Sequence, residues 1–511
     1  MLIKPSHIPL ACGLAALGRD TSRGRPMIAV ERPADRQALM VVPRPMPPVS
    51  TVEIALILAL LIFYTIAQLI TVSVPAALGW TNMIGPLALI AVMIYGVTSA
   101  LRRDPDAIWG AFFWFRVACG VYYGAGNLVA LSSDQVTSDA LRGLYYFSEY
   151  EILKFNIIIT CGVFFVYLGV IFTRITLAVP NQRKPVITIY YMMIIFLVVG
   201  GVARYGIILP FLLNLQEGIL PSIVSLIAKA YSAGLMLLIL LALQRKNILF
   251  PIAIVLVFIE IAVGVLLFNK SDVMITCLCV ALAFYLHRPK ISTLIAAVSI
   301  SLFIFSTMTP LVGFGRNTLI RDRGNQSANL DDRLAIIQAY QVDGAIDDTG
   351  QRPTSLTRFS YVNVATFVIS QYDVGLPTYT LANVAAVFIP RFLWPDKPNL
   401  TKDSTDLYTR ATGIEGTAIT AGLFAEAYGN FGWWGLPLLM TPYGIILALM
   451  SRAMSAAMGR REWALLPVAL IGVQVGTRVD GGYVIDVIGA PVTLALFAII
   501  IIAVSRVSVK T

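Results

Sequence analysis

Residues 52–74 read VEIALILALLIFYTIAQLITVSV, an apolar run of the length that one α-helix needs to cross a lipid bilayer. Similar runs recur along the chain, which is 58% hydrophobic and 13% charged. Its mean hydropathy is +0.79. These values lie outside the usual range of soluble globular proteins. The sequence therefore predicts an all-α polytopic membrane protein.

The apolar runs predict about 12 transmembrane helices, nine before and three after a long polar insert. The first nine occupy residues 51–312, and the last three, with a short tail, occupy 431–511. The predicted spans are 52–74, 83–101, 107–131, 152–173, 186–208, 221–243, 248–268, 272–287, 291–312, 431–451, 463–479 and 484–505. Residues 1–50 are basic and proline-rich, and we interpret them as a disordered tail.

The insert, residues 313–430, is predicted to be a large structured loop between helices 9 and 10. Residues 313–435 hold 22 of the 66 Asp, Glu, Lys and Arg residues of the chain, together with many aromatic residues. Because the aromatic content is high, we expect the insert to fold against the membrane domain. Helices are predicted over 330–340 and 354–370, and a third within 417–435 is expected to end at 430–432.

Basic residues recur in every second connection between the predicted spans, as cytoplasmic loops require. The basic connections carry Arg102 and Arg103; Arg174, Arg183 and Lys184; Arg245 and Lys246; Arg288 and Lys290; Arg452, Arg460 and Arg461; and Arg506 and Lys510. This pattern predicts cytoplasmic termini and an insert on the opposite side. It also accounts for the net charge of +10 without a nucleic-acid partner.

Arg116, Glu260 and Arg204 are ionisable residues inside predicted spans, where charge is costly unless it is paired or faces a cavity. Arg116 and Glu260 are each near the middle of a span, and a buried pair between them is one possible arrangement. Arg204 lies near the outer end of its span. It either reaches the membrane interface or points into an outer cavity.

Several cations of the insert are candidate ligands for an anionic head group, because Arg binds phosphate oxygens bidentately. They are Arg316, Arg321, Arg323, Arg358, Arg391, Arg410 and Lys397. A solvated or salt-bridged surface residue is the alternative for each. Prolines flank Arg391 and Lys397, so the backbone presents these two rigidly.

Two motifs of the insert resemble a known family. IPRFLWPDKP, residues 389–398, precedes GLFAEAYGNFGWWG, residues 422–435. Together they resemble the Wzy-type polymerases of O-antigen and exopolysaccharide repeat units, which are polytopic enzymes of the bacterial inner membrane with a large periplasmic loop. The resemblance covers roughly 385–435 and implies a GT-C-like membrane fold.

The resemblance also implies a reaction: a glycan on undecaprenyl diphosphate is transferred to another lipid-linked repeat unit. From the residues themselves we expect this transfer to use no metal or cofactor. The expected partners are these lipid-linked glycans as donor and acceptor, the bilayer, and a polysaccharide co-polymerase that regulates chain length. We expect Glu426 and Arg391 to be catalytic. The expected substrate-binding residues are Arg316, Arg358, Lys397, Trp394, Arg410 and Arg204.

The chemistry of transfer from a diphosphate requires charge stabilisation at the leaving group and a base for the attacking hydroxyl. Arg391, Lys397 and Arg358 are candidates for the first role. Glu426 is the candidate base, because a helix would place it on one face with Gly422 and Asn430. Its alternative is a helix-end or ion-pair role.

Three other functions stay open. An O-antigen ligase-like transferase is expected to use a histidine of the outer loop, whereas His7 and His287 are both predicted to be cytoplasmic. A secondary transporter would use midplane charges such as Arg116 and Glu260, but the sequence has no evident internal repeat. A non-catalytic assembly subunit is the third alternative.

Overall fold

The computed structural model describes residues 49–131, 144–173, 189–216, 222–245, 249–323, 328–343, 359–389, 394, 396–398, 400, 402–413 and 420–507. Within these ranges every regular element is a helix, and there is no strand. The prediction of an all-α protein is therefore confirmed. Most of the predicted tail, 1–50, lies outside the described residues.

The membrane domain is a bundle of α-helices interrupted by several π-helical segments. The α-helices before the insert are α1 (Thr51–Ser73), α2 (Ala77–Arg103), α3 (Ala111–Ala118), α4 (Gly126–Val129), α5 (Glu149–Phe172), α6 (Ile189–Gly201), α7 (Leu209–Leu212), α8 (Ser222–Arg245), α9 (Leu249–Leu266), α10 (Lys270–His287) and α11 (Ile291–Arg323). The π-helical segments are Cys119–Ala125, Val202–Ile208, Leu436–Met440 and Tyr483–Gly489.

The described part of the insert is also helical. It comprises α12 (Leu330–Asp343), α13 (Val362–Asp373), α14 (Lys402–Thr412) and α15 (Leu423–Phe431), and the chain then continues through α16 (Thr441–Gly459), α17 (Leu466–Thr477) and α18 (Ala490–Val507). The predicted helix at 330–340 is confirmed. The helix predicted over 354–370 begins later, at Val362, and residues 354–358 lie outside the described ranges.

Nine helices in the described ranges are long and apolar enough to cross a membrane: Thr51–Ser73, Ala77–Arg103, Glu149–Phe172, Ile189–Leu212, Ile223–Gln244, Leu249–Leu266, Lys270–His287, Ile291–Arg316 and Leu436–Gly459. A multi-pass membrane protein is thereby confirmed. Three predicted spans differ from these nine. The span predicted at 107–131 contains a π-helical segment, that at 463–479 holds a 12-residue α-helix, and that at 484–505 has a shorter apolar helix.

Helix ends on the insert side of the bundle are joined by hydrogen bonds to backbone carbonyls. The Asn82 side chain donates to the carbonyl of Glu149 (2.9 Å). Arg333 of the insert donates to the carbonyls of Leu212 (3.3 Å) and Leu266 (3.4 Å). Because these carbonyls lie at helix ends, Arg333 satisfies acceptors that the helices leave open.

The opposite end of the bundle gathers the connections that are predicted to be cytoplasmic. Tyr285 donates to the carbonyl of Pro105 (3.4 Å), and Arg452 donates to the carbonyl of Thr173. Each of these two contacts therefore joins connections that are predicted to lie on the same side of the membrane. Which end faces the cytoplasm stays a prediction.

A buried ion pair fixes the first helices of the bundle. Arg116 Nη2 lies 2.6 Å from Glu53 Oε2, with 6% and 3% of their side chains exposed. Arg116 Nε also donates to Tyr167 OH (3.0 Å). The Arg116–Glu260 pair considered from the sequence is therefore wrong, because Glu260 pairs with Arg204 instead (2.7 Å). Both charges are compensated within the bundle, as burial requires.

The insert packs directly on the membrane domain. Helix α13 contacts α5 and α15, and α15 also contacts α5. Gly162 of α5 allows this approach, because a Cβ there would lie 2.3 Å from the Phe424 ring. Phe424 itself is fully buried. The start of α15 is thus fixed against a membrane helix, which positions the residues described next.

Candidate functional site

The turn Arg478–Tyr483 joins α17 to the final apolar helix and is held by three separate parts of the chain. The Thr420 hydroxyl donates to the carbonyl of Asp480 (2.8 Å). The Tyr361 hydroxyl donates to Asp480 Oδ2 (3.0 Å). Tyr123, from the π-helical segment Cys119–Ala125, donates to a further carbonyl of the turn (2.6 Å). The turn is therefore one of the places where the insert meets the membrane domain.

Two glycines allow the backbone to pack this closely. Gly422 precedes α15 with φ of +83°, and a Cβ there would lie 2.6 Å from the Tyr123 hydroxyl. A Cβ at Gly481 would lie 2.0 Å from Asp486 Oδ2. A larger side chain would be strained at Gly422 by its positive φ, and a Cβ at Gly481 would force the Asp486 carboxylate to move. Gly422 is thus the residue before the helix, not part of its face as the sequence predicted.

Glu426 lies beneath the turn, and its carboxyl group binds backbone. It is 1% exposed, and its Oε2 accepts from the Tyr483 N–H (2.8 Å). Tyr483 begins the final helical stretch, where an anionic acceptor is favoured by the helix dipole and by the open N–H groups. This contact is a helix-end role, the alternative that the sequence left open for Glu426. Its role as a general base stays a prediction.

Arg478 and Asp480 form the charged centre of the turn. The Arg478 side chain is exposed, and Asp480 is half-buried. Burial raises the pKa of Asp480, while the neighbouring Arg478 guanidinium acts in the opposite direction. Burial also raises the pKa of the Tyr361 phenol well above its ordinary value, so Tyr361 stays a donor to the carboxylate. A carboxylate with a raised pKa beside an exposed cation can accept a proton next to a bound anion.

Arg204 is part of an ion network in the membrane domain. Its Nη2 lies 2.7 Å from Glu260 Oε2 and 3.2 Å from Asp272 Oδ2. Tyr205 also donates to Glu260. The Arg204 guanidinium is therefore engaged by two carboxylates, which compete with any phosphate for its donors.

The other predicted substrate-binding residues have the following surroundings. Arg410 Nη2 donates to Gln371 Oε1 (3.1 Å), and its guanidinium lies over the Phe367 ring at 5.4 Å. Lys397 Nζ donates to the carbonyl of Ile389 (2.9 Å). Trp394 is 39% exposed.

Arg316 is exposed near the end of α11. Arg391 and Arg358 lie outside the described residues. The structure thus brings Glu426 to the turn at Arg478, whereas the described contacts of Arg204, Arg410 and Lys397 lie elsewhere.

Sequence reasoning missed Arg478 and Asp480. Both occur in RVDGGY, residues 478–483, at the boundary of two predicted spans. The predicted span 463–479 contains Arg478, and the short connection after it, 480–483, contains no basic residue. An arginine and an aspartate beside a Gly-Gly pair in so short a connection are the signal that identifies the site.

No family model matches the chain, and comparisons with curated proteins and with solved structures likewise return no match. The family resemblance therefore depends on the two motifs of the insert.

Proposed function

We propose that this protein is a membrane glycosyltransferase that polymerises undecaprenyl-diphosphate-linked oligosaccharide repeat units. The observation that carries the proposal is the Arg478–Asp480–Tyr361 group, an exposed cation beside a carboxylate of raised pKa where the insert meets the membrane domain. The two insert motifs, residues 389–398 and 422–435, add the resemblance to Wzy-type polymerases.

The reaction assigns distinct tasks to these side chains. An acceptor hydroxyl oxygen attacks the anomeric carbon of the donor glycan, and the bond from that carbon to the diphosphate oxygen breaks. The hydroxyl proton goes to the Asp480 carboxylate, and undecaprenyl diphosphate leaves with the bonding electron pair. Arg478 stabilises the charge that develops on the departing diphosphate, with Arg391 and Lys397 as further candidates.

Glu426 acts in this proposal through the backbone it holds. Because its carboxylate accepts from the Tyr483 N–H, it fixes the end of the turn that carries Arg478 and Asp480. It is a positioning residue here, although the sequence alone favoured it as the base.

The proposal also includes the finer membrane organisation. We infer twelve crossings of the bacterial inner membrane, cytoplasmic termini and a periplasmic insert. This arrangement puts the turn at Arg478 on the same side as the insert, where flipped lipid-linked glycans would be available. A chain-length-regulating co-polymerase is the protein partner implied by the resemblance.

A transporter is the second candidate, because the network of Arg204, Glu260 and Asp272 puts three charges inside the membrane domain. Intramembrane charges of this kind commonly mark ion or substrate paths.

The deciding experiment is reconstitution of the purified full-length protein in liposomes with lipid-linked repeat units extracted from the producing cells. We expect ladders of polymer with the wild-type protein and none with Arg478→Gln or Asp480→Asn. Release of undecaprenyl diphosphate is measured in parallel. If wild-type proteoliposomes move the lipid-linked unit across the bilayer without joining two units, the polymerase proposal is refuted and the transporter is favoured.

A further inference from the structure

A groove of about 540 Å³ lies between the helices α9, α10 and α11 of the membrane domain. The three helices contact one another, and each is long and apolar enough to cross a membrane. The volume falls within the range of about 300–1,000 Å³ that small-molecule sites commonly have. Because the groove lies between candidate membrane spans, its ligand is expected to come from the bilayer.

The groove is long and apolar. On α11 its lining extends from Ser292 to Ile304, which is about 18 Å along the helix. That length is more than half of the roughly 30 Å hydrocarbon core of a bilayer. The described residues that line the groove include no charged side chain. The groove therefore suits a single hydrocarbon chain, which van der Waals packing would hold because the surrounding lipid is equally apolar.

One end of the groove lies at the short connection between α10 and α11. The Arg288 N–H donates to the carbonyl of Phe284 (3.0 Å), a residue of the lining. Lys290 is two residues before Ser292, which also lines the groove. The side chains of Arg288 and Lys290 are both exposed. Two positive charges therefore adjoin one end of an uncharged groove.

This end of the groove is at the end of the bundle opposite to the insert. Tyr285, next to Phe284, donates to the carbonyl of Pro105, just after the basic pair Arg102 and Arg103. Basic residues at the ends of membrane helices attract anionic lipid head groups. An apolar groove beside such a pair matches both parts of a lipid, the chain and the charged head group.

We propose that an anionic phospholipid binds here, with one acyl chain in the groove and its phosphate at Arg288 and Lys290. Arg288 contributes a planar donor fork and Lys290 a compact point charge. A zwitterionic lipid offers the same chain and phosphate but carries a cation as well, which the two basic side chains repel. The site is at the opposite end of the bundle from the insert, and the proposal goes beyond the polymerase reaction and does not depend on it.

Lipid selectivity is tested by native mass spectrometry of the purified full-length protein with phosphatidylglycerol and phosphatidylcholine of identical acyl chains. Two basic residues near a membrane surface predict a preference for phosphatidylglycerol of about 5- to 30-fold. Arg288→Gln combined with Lys290→Gln should make the binding of the two lipids equal. Ala296→Trp puts a bulky ring in the groove and should remove bound lipid of either kind.

Matched variants show whether these effects belong to the groove. Arg102→Gln combined with Arg103→Gln removes two exposed cations from the same end of the bundle. Ile295→Trp adds the same ring at a position of α11 that is 60% exposed and outside the lining. Both controls should keep the wild-type selectivity. Thermal unfolding and a monodisperse elution profile show that each variant is folded, and if Ala296→Trp does not fold, the charge variants decide.

Equal binding of the two lipids by the wild-type protein overturns the proposal. Retention of bound lipid in a folded Ala296→Trp protein also overturns it, as does an equal loss of selectivity in the Arg102 and Arg103 control. A dimer that Ala296→Trp disrupts and Ile295→Trp does not would identify a second copy of the chain as the occupant, against a lipid. Polymer formation is measured separately, so failure of the lipid site and failure of the polymerase are distinguished.

Discussion

Substitutions at Glu426 and Asp480 separate a residue that holds the site from one that acts in it. In the wild-type protein the Tyr483 nitrogen lies 2.8 Å from Glu426 Oε2. Glu426→Gln keeps the side-chain volume and an oxygen that can accept this N–H. Asp480→Asn likewise keeps the acceptor for Tyr361 but removes the proton acceptor. Both variants should therefore fold, and they should differ in activity.

The geometry sets the expected size of each effect. Hydrogen bonds to a charged group contribute about 1.5–3 kcal/mol and neutral ones about 0.5–1.5 kcal/mol, so Glu426→Gln should destabilise the protein by roughly 1 kcal/mol. Removing a general base costs about 10²–10⁴-fold in rate. We expect that loss for Asp480→Asn and less than about tenfold for Glu426→Gln.

Glu426→Leu extends the series, because Leu leaves the buried Tyr483 N–H without its acceptor. That loss should cost a further 1–3 kcal/mol, roughly the desolvation penalty of one polar group. Stability is measured as thermal unfolding of the purified protein in detergent, and activity as initial rate of polymer formation in proteoliposomes. Asp406→Asn, a carboxylate exposed on α14, is the control for an acid-to-amide change in the insert.

The pH profile adds an independent test of Asp480. A general base works when deprotonated, so activity should decline as pH falls through its pKa. Burial raises that pKa, so the decline should occur above the ordinary aspartate value of about 3.9. Asp480→Asn should remove this limb from the residual activity. Two results together would refute the assignment. One is a stable Glu426→Gln protein whose rate falls by about 10²-fold or more, and the other is an Asp480→Asn protein that stays fully active.

Three further predictions address the fold. Reporter fusions at 345 and 455 should fall on opposite sides of the membrane, with 455 cytoplasmic; the same side for both would mean that the crossings between them are miscounted. Gly481→Ala puts a Cβ 2.0 Å from a carboxylate oxygen and should cost about 1–3 kcal/mol in thermal unfolding, with unchanged stability contradicting the packing of the turn. Arg116→Met should cost about 3–5 kcal/mol because it leaves Glu53 buried alone, and Arg116→Met with Glu53→Leu should recover most of that loss.

The membrane fold was largely predictable because bilayer crossing imposes one length and one polarity on each helix. Thr51–Ser73 and the other long spans follow directly from that constraint. Interrupted helices were harder to predict. Residues 119–125 lie in the apolar run 107–131, and hydropathy does not distinguish π-helical from α-helical geometry within such a run. The Phe359 carbonyl packs close to Gly126, which directly follows this segment.

The insert was predicted in outline. Its helix at Leu330–Asp343 follows from the sequence, since Asp331 and Asp332 fall in a first turn where acidic residues are favoured. The position of Glu426 inside the protein could not be predicted, because its partner Tyr483 is 57 residues away in the chain. A helix pattern shows which residues share a face and not what covers that face.

Charge pairing shows most clearly what local sequence leaves undetermined. Arg116 and Glu260 are both within apolar runs, and pairing them satisfies the demand that buried charges be compensated. In the fold both charges are compensated, but by other partners: Arg116 pairs with Glu53, and Glu260 pairs with Arg204. Arg204 is thereby occupied. Its guanidinium is engaged by two carboxylates, so a role for Arg204 in substrate binding would require this ion pairing to open.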